Sequence, residues 1–171
     1  YDGPFFGACG ENAYWQLENG VLTISGTGYM EYEDYPNPWY DHSSSIKKVV
    51  IEHGVTSIGD CAFQDCVNLT SVSIADSVTD IWSSVFENCK KLSSLTIPDS
   101  VTHICLCAFS GSAIEEITIP INTEVCDDAF YNCPSLKAIH VAEENPYLSS
   151  DNGVLLNKDR TYLHQCPGGY E

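Results

Sequence analysis

The sequence predicts an α/β solenoid, a chain wound into stacked right-handed coils with parallel strands on one face and short helical turns on the other. Three observations predict it. First, an apolar pattern returns five times, as IKKVVI, LTSVSI, LSSLTI, IEEITI and LKAIHV, starting at Ile46, Leu69, Leu92, Ile114 and Leu136 with steps of 23, 23, 22 and 22 residues. A period of roughly 20–29 residues around an L-x-x-L-x-L core marks a leucine-rich repeat. Second, a small-aromatic pair recurs once per unit and sets Phe63, Phe86, Phe109 and Phe130 in one register. Third, the segments flanking the repeats carry hairpin signals instead of the repeat itself.

The elements follow in order. Trp15 to Ile24 reads as two short strands around Asn19-Gly20, and Asn-Gly is the strongest short-range hairpin signal. A solenoid exposes an apolar edge at each end and needs an atypical cap, so residues 1–45 are expected to form the N-terminal one. Within them, residues 29–42 (YMEYEDYPNPWYDH) form a loop, because Pro36 and Pro38 disfavour helix and central strand. Trp39 and Tyr40 are expected to staple this loop over the open end of the solenoid. Residues 46–141 hold the five repeats. Each supplies a strand such as Leu69–Ile74, whose alternate residues face core and solvent. A second extended piece follows, Val55-Thr56-Ser57-Ile58 and its counterparts. The unit then closes with CAFQDC, SVFENC, CAFSGS or DAFYNC, expected as a single helical turn. After Val141 the pattern stops. Residues 153–163 read as a hairpin turning at Asn157 to Arg160, which assigns residues 142–171 to a C-terminal cap.

Composition narrows the function. Twenty-four acidic and seven basic side chains give a net charge of −17, and the first 45 residues carry no Lys or Arg. Nucleic acid and anionic membrane surfaces need a basic footprint, so neither is an expected partner. No stretch approaches the roughly 20 apolar residues of a membrane span. The chain opens on Tyr1-Asp2-Gly3-Pro4 without a leader pattern and closes in Pro167-Gly168-Gly169-Tyr170-Glu171, a loop composition expected to lead into further chain.

Nine cysteines in a small secreted chain would suggest a disulfide framework with one thiol left over. The register argues otherwise for several. Cys66, Cys89 and Cys133 share one repeat position with Ser112, which reads as a ladder of small buried side chains. Cys105 and Cys126 share a different position on adjacent coils and are the repeat pair within reach of a bridge. Metal ligands must converge on one point, and a ladder spreads them along the axis. Cys105-Leu106-Cys107 with His103 nearby is a weak metal signal, and no second C-x-C accompanies it.

No catalytic constellation is present. The sequence lacks G-x-S-x-G, H-E-x-x-H and a Gly-rich phosphate loop. Glu115-Glu116 and Asp127-Asp128 are acidic neighbours on strands that turn adjacent residues apart, not a carboxylate pair facing one sugar. No cofactor or metal site is expected, and no D-x-D-x-D-G loop supports calcium.

The unit VTSIGDCAFQDCVNLTSVSI closely resembles the leucine-rich repeat of BspA-like bacterial surface proteins, also described as the Treponema-type repeat. The lead-in ISGTGYM, Pro38-Trp39-Tyr40, IKKVVIEHGVTSIG and the tail NPYLSSDNGVLLNKDRTYL resemble the flanks of such arrays. The resemblance implies a non-enzymatic protein that is secreted or held at the cell surface, accompanied by other modules and engaged in adhesion. It carries no site residues over. This chain departs from the pattern where the usual glycine, present as Gly59, becomes Trp82, Cys105 and Cys126, and where Ser112 replaces Cys or Asn.

Two surfaces are candidates for binding. One is the strand face, whose central column is Val50, Ser73, Thr96, Thr118 and His140. It is small, polar and lacks aromatics, whereas energetic hot spots favour Trp, Tyr and Arg. The other is the aromatic loop, with Tyr29, Tyr32 and Tyr35 beside Glu31, Glu33 and Asp34. The expected function is an extracellular, monomeric, adhesin-like module that binds a protein or glycan on a host or bacterial surface. The alternative is a structural spacer that presents a neighbouring domain.

Overall fold

A computed structural model describes residues 3–31 and 36–165. It is a solenoid of stacked parallel strands with very little helix. Three strands form the first end: β1 (Phe5–Ala8), β2 (Asn12–Glu18) and β3 (Val21–Tyr29). β2 and β3 pair antiparallel about Asn19 and Gly20, whose φ angles of 51° and 78° are the left-handed pair that such a tight turn requires. β1 adds to the outer edge of β2, an element the sequence reading did not anticipate. Ala13, Trp15 and Leu17 alternate inward along β2.

β3 joins this end to the parallel strands, and it does so twice. Its first half pairs in parallel with β4 (Lys48–Ile51), setting Thr23 beside Val50. The strand then turns at Gly26, where φ is 94° and a Cβ would run into the Asn12 carbonyl oxygen. Its end pairs with β5 (Val55–Ile58), placing Tyr29 beside Ser57. One strand thereby covers the open edges of both ladders that follow.

The repeats continue through β6 (Ser71–Ile74), β7 (Asp80–Ile81), β8 (His103–Ile104), β9 (Glu116–Ile119), β10 (Glu124–Val125) and β11 (Ala138–Val141). All pairings among them are parallel, with partners 23 residues apart in the first coils, 22 between β9 and β11, and 21 between β8 and β10. The short second strands β5, β7, β8 and β10 form an unbroken ladder from β3 onward. Threonine hydroxyls add to it: Thr102 donates to the Thr79 carbonyl at 3.1 Å and Thr123 to that of Val101 at 2.7 Å.

Two expectations need correction. The five leading strands do not make one continuous sheet. β4 and β6 pair, and β9 and β11 pair, but residues 92–97 between them form no ladder. The Glu115 N–H still reaches the Ser93 carbonyl at 3.0 Å. Elsewhere on the same coils the second ladder and the turns stay bonded, so the coils fan apart only on this face. Openings of about 210 and 380 Å³ flank the unpaired segment.

The second correction concerns the expected helical turns. Among the described residues the sole helix is a 3-10 turn at Tyr40–Ser45. In the first unit Ala62, Gln64 and Cys66 donate back three residues, to Gly59, Cys61 and Phe63, all at 3.2 Å. The residues between them reach across instead: Cys61, Phe63 and Asp65 donate to Ser83, Val85 and Glu87 on the next coil, each at 2.9 Å. A helix would turn every N–H along its own axis. Here Cys61 and Asp65 sit at φ of 55° and 58°, which redirects alternate N–H groups to the neighbouring coil and forms a third hydrogen-bonded stack.

Inside run the aromatic rings. Phe63, Phe86, Phe109 and Phe130 stack with centroids 5.5, 5.4 and 5.3 Å apart. Trp39 extends the column 6.1 Å beyond Phe63, and Trp15 meets Trp39 edge-on at 5.7 Å. Trp39 is fully buried, and its Nε1 donates to the Ala62 carbonyl at 2.6 Å. Asn37 Nδ2 bonds the same carbonyl at 3.2 Å. This segment therefore acts as the convex turn of a coil that precedes the first complete repeat.

At the far end β12 (Leu148–Asp151), β13 (Val154–Asn157) and β14 (Leu163–Gln165) form a three-stranded antiparallel sheet. The turn after Asn157 was expected, whereas the one at Asn152 and Gly153, with φ of 49° and 83°, was not. This sheet blunts the last strand of the face: Ile139 donates to the Gly153 carbonyl at 2.9 Å, and Val141 to Ser150 Oγ at 3.2 Å. Asn145, fully buried, ties the same end by donating to the Pro120 and Thr123 carbonyls and accepting from the Tyr147 and Leu148 N–H groups.

Candidate functional site

Three of the cysteine positions are structural. Cys66, Cys89 and Cys133 are buried in the turn stack, and the eight described cysteines are all free thiols. Cys89 Sγ donates to the Phe63 carbonyl at 3.2 Å, and Cys133 Sγ to that of Phe109 at 3.1 Å. Ser112 Oγ, at the same repeat position, lies 3.7 Å from Cys133 Sγ. Burial pushes the Cys66 thiol up to about 12, so it stays neutral and unreactive at ordinary pH. Cys105 and Cys126 on adjacent coils share a hydrogen bond, and burial first, then its neighbour, raises Cys105 to about 11. Among the described residues no three His, Cys, Asp or Glu side chains converge to hold a metal ion.

Neighbouring acids on the strand face are likewise used in pairs along the axis. Glu115 Oε2 accepts from Lys137 Nζ at 2.6 Å, which holds the exposed Lys137 above its ordinary value. Glu116 Oε2 lies 3.2 Å from His140 Nε2. The two carboxylates thus serve different columns and do not face one point.

The central column is paired only at its two ends, with Val50 beside Ser73 and Thr118 beside His140. Ser73, Thr96, Thr118 and His140 are exposed. Thr96, Thr118 and His140 share a shallow groove of about 380 Å³, floored by Ile97 and Ile117. Ser73 stands apart from it, beyond the unpaired segment. Tyr32 and Tyr35 lie outside the described residues.

Tyr29 occupies a different place from the strand face. It ends β3, in the row that continues through Ser57, Asp80, His103 and Glu124. The next outward row is Gly59, which keeps the repeat glycine, followed by Trp82, Cys105 and Cys126, which depart from the pattern. Tyr29 and Trp82, which are 57% and 45% exposed, line one open cleft of about 350 Å³. Gly59 contributes no side chain between them. Glu31, Asp60 and Asp80 supply carboxylates to the same cleft. These acids are held in place: Asp60 Oδ1 accepts the Ser83 N–H at 2.8 Å, and Asp80 Oδ2 accepts the Thr79 hydroxyl at 2.6 Å. His103 Nδ1 lies 2.9 Å from Asp80 Oδ1. Trp82, Asp60 and Asp80 were missed in the sequence. The signal for Trp82 was its replacement of the repeat glycine, which places a large side chain where the repeat normally has none.

The repeat geometry is matched by known proteins. A family model described as a BspA type leucine rich repeat region aligns in six copies with residues 36–151. The chain belongs to that family. Six copies rather than five agree with Trp39 standing one place before Phe63 in the ring column. Among solved structures, a leucine-rich repeat protein from Eubacterium ventriosum is 30% identical with a TM-score of 0.78, over 96% of this chain and 51% of that one. The pneumococcal vaccine antigen PcpA shares the fold at 20% identity and a TM-score of 0.61, over 97% of this chain and 56% of that one. A leucine rich cell surface protein from Faecalibacterium prausnitzii does so at 22% and 0.54, over 97% of this chain and 62% of its own. The chain thus spans about half the length of the Eubacterium ventriosum protein. No curated protein matches the chain. No helix among the described residues is long and apolar enough to cross a membrane.

Proposed function

We propose that this protein is a non-enzymatic, extracellular binding module of adhesin type, acting as a monomer on a protein or glycan of a host or bacterial surface. Residues 1–45 and 142–171 serve as caps on the repeats of residues 46–141, and the coils wind right-handed. Membership of the BspA-type family, and a fold shared with a cell surface protein and a vaccine antigen, support the surface location. The observation that carries the binding reading is the pair of exposed aromatics, Tyr29 and Trp82, at a cleft left open by Gly59. Tyr and Trp bury large areas at low entropic cost, and hot spots are enriched in them.

The small, polar strand face favours the spacer reading, in which the coils only hold a neighbouring domain away from the cell. Surface plasmon resonance against purified matrix proteins, and flow cytometry with intact bacterial and epithelial cells, separate the two. Binding by the parent, lost in Tyr29→Ala with Trp82→Ala and weakened in Tyr32→Ala with Tyr35→Ala, supports the module. Ser73→Ala with Thr96→Ala should leave binding unchanged. No binding by the parent supports the spacer, and loss only in the Ser73 and Thr96 pair moves the site to the strand face.

A further inference from the structure

We infer that the Tyr29–Trp82 cleft takes an arginine side chain of the partner protein; this rests on the binding reading above and names its chemistry. Glu31, Asp60 and Asp80 bring three carboxylates to one opening with aromatic walls, and among the described residues no Lys or Arg lines it. The chain carries a net charge of −17, so the surrounding field reinforces the local one. His103 beside the cleft is already engaged with Asp80 Oδ1 at 2.9 Å. Asp60 and Asp80 are oriented by the Ser83 N–H and the Thr79 hydroxyl. The acceptors are thereby preorganised, and an incoming donor need not order them.

A neutral sugar would stack on the rings but leave the carboxylates without a counter-charge in the contact. An ammonium would neutralise them as a point charge. A guanidinium does both: its plane stacks on an indole or phenol face, and its fork of donors meets carboxylates two bonds at a time. The cleft volume of about 350 Å³ lies at the lower end of the range for small ligand sites, which suits one side chain rather than a whole saccharide chain.

Trp82 reports on this directly. The protein has three tryptophans, and Trp15 and Trp39 are 8% and 0% exposed against 45% for Trp82. Acrylamide quenching therefore samples Trp82 almost alone. The probes are the acetylated and amidated tripeptide Gly-Arg-Gly and its lysine and citrulline counterparts, with N-acetylglucosamine as the sugar. The arginine peptide is expected to protect Trp82 saturably at millimolar concentration, and the lysine peptide less. The citrulline peptide and the sugar should give no protection. Asp60→Asn with Asp80→Asn should raise the half-saturation concentration about tenfold or more, and added salt should weaken protection in the parent. Equal protection by citrulline, protection by the sugar alone, or no protection by any peptide overturns the arginine assignment. If it falls while Tyr29→Ala with Trp82→Ala still abolishes cell binding, the binding module stands with another ligand. If cell binding is also unaffected, both readings fall.

Discussion

The buried ring column and the Tyr29–Trp82 cleft use the same side chains for opposite ends. Trp39 continues the stack beyond Phe63 with none of its surface exposed, and its indole N–H is spent on the Ala62 carbonyl. Trp82 stands four residues before Phe86 in the sequence, yet faces solvent beside Asp60 and Asp80. Nothing in the residue type separates them. What differs is repeat position: one register points between coils, the other replaces a glycine on the outside. In a solenoid, a side chain's role follows from its column, because every coil repeats the same inward and outward directions.

That contrast predicts a graded series. The largest loss should come from the middle of the column. Phe86 has a ring on each side, at 5.5 and 5.4 Å. Phe86→Ala should cost on the order of 3–5 kcal/mol, read from urea unfolding by circular dichroism. A midpoint shift within error would show that the rings are not a packed core.

Next is the buried amide that closes the other end. Asn145 donates twice and accepts twice. Asn145→Ala leaves those backbone groups without their partner, at about 1–3 kcal/mol. A loss well below this would mean that water reaches the site and that the C-terminal end is open.

A smaller, pH-dependent effect separates buried thiols from exposed ones. The Cys66 thiol is raised by burial from its ordinary 9.0 to about 12, and Cys9 likewise. The folded state therefore keeps protons that the unfolded chain releases. Their contribution is complete below about pH 9 and is lost as pH climbs toward 12. Each such thiol should lower stability by up to about 1.4 kcal/mol per pH unit in that window. Replacing Cys66 by Ala should flatten the alkaline slope between pH 9 and 10 by about that amount. An unchanged slope would place Cys66 in contact with solvent.

Much of this fold was legible in the chain. The five apolar segments and the phenylalanine register gave strand order and core because periodicity records which side of a coil a residue faces. The Asn19-Gly20 turn was legible for the same local reason, and the identical dipeptide at Asn152-Gly153 carried a signal that went unread. The convex turns were misread as helix. Yet positions 65, 88, 111 and 132 are Asp, Asn, Gly and Asn, the residues that tolerate the left-handed backbone, and their φ angles of 58°, 59°, 67° and 52° are all positive. The cleft was beyond local reading. It needs β3 to bend at Gly26 so that Tyr29 arrives beside coils dozens of residues later, and no pattern of period 2 or 22 records that meeting. The fanning of the coils around residues 92–97 is a similar property of packing between coils.

Substitutions on the strand face should have the least effect. Ser73→Ala and Thr96→Ala remove exposed hydroxyls and should change stability by no more than about 0.5 kcal/mol.

The account is tested most directly by one chemical change made in two columns. Trp39→Ala and Trp82→Ala delete the same side chain, and their urea unfolding curves can be compared with that of the parent. The ring column predicts a loss on the order of 3–5 kcal/mol for Trp39→Ala. The outward column predicts a change within about 0.5 kcal/mol for Trp82→Ala. Comparable losses in the two variants would contradict the claim that repeat position, and not residue type, divides structural from binding aromatics in this protein.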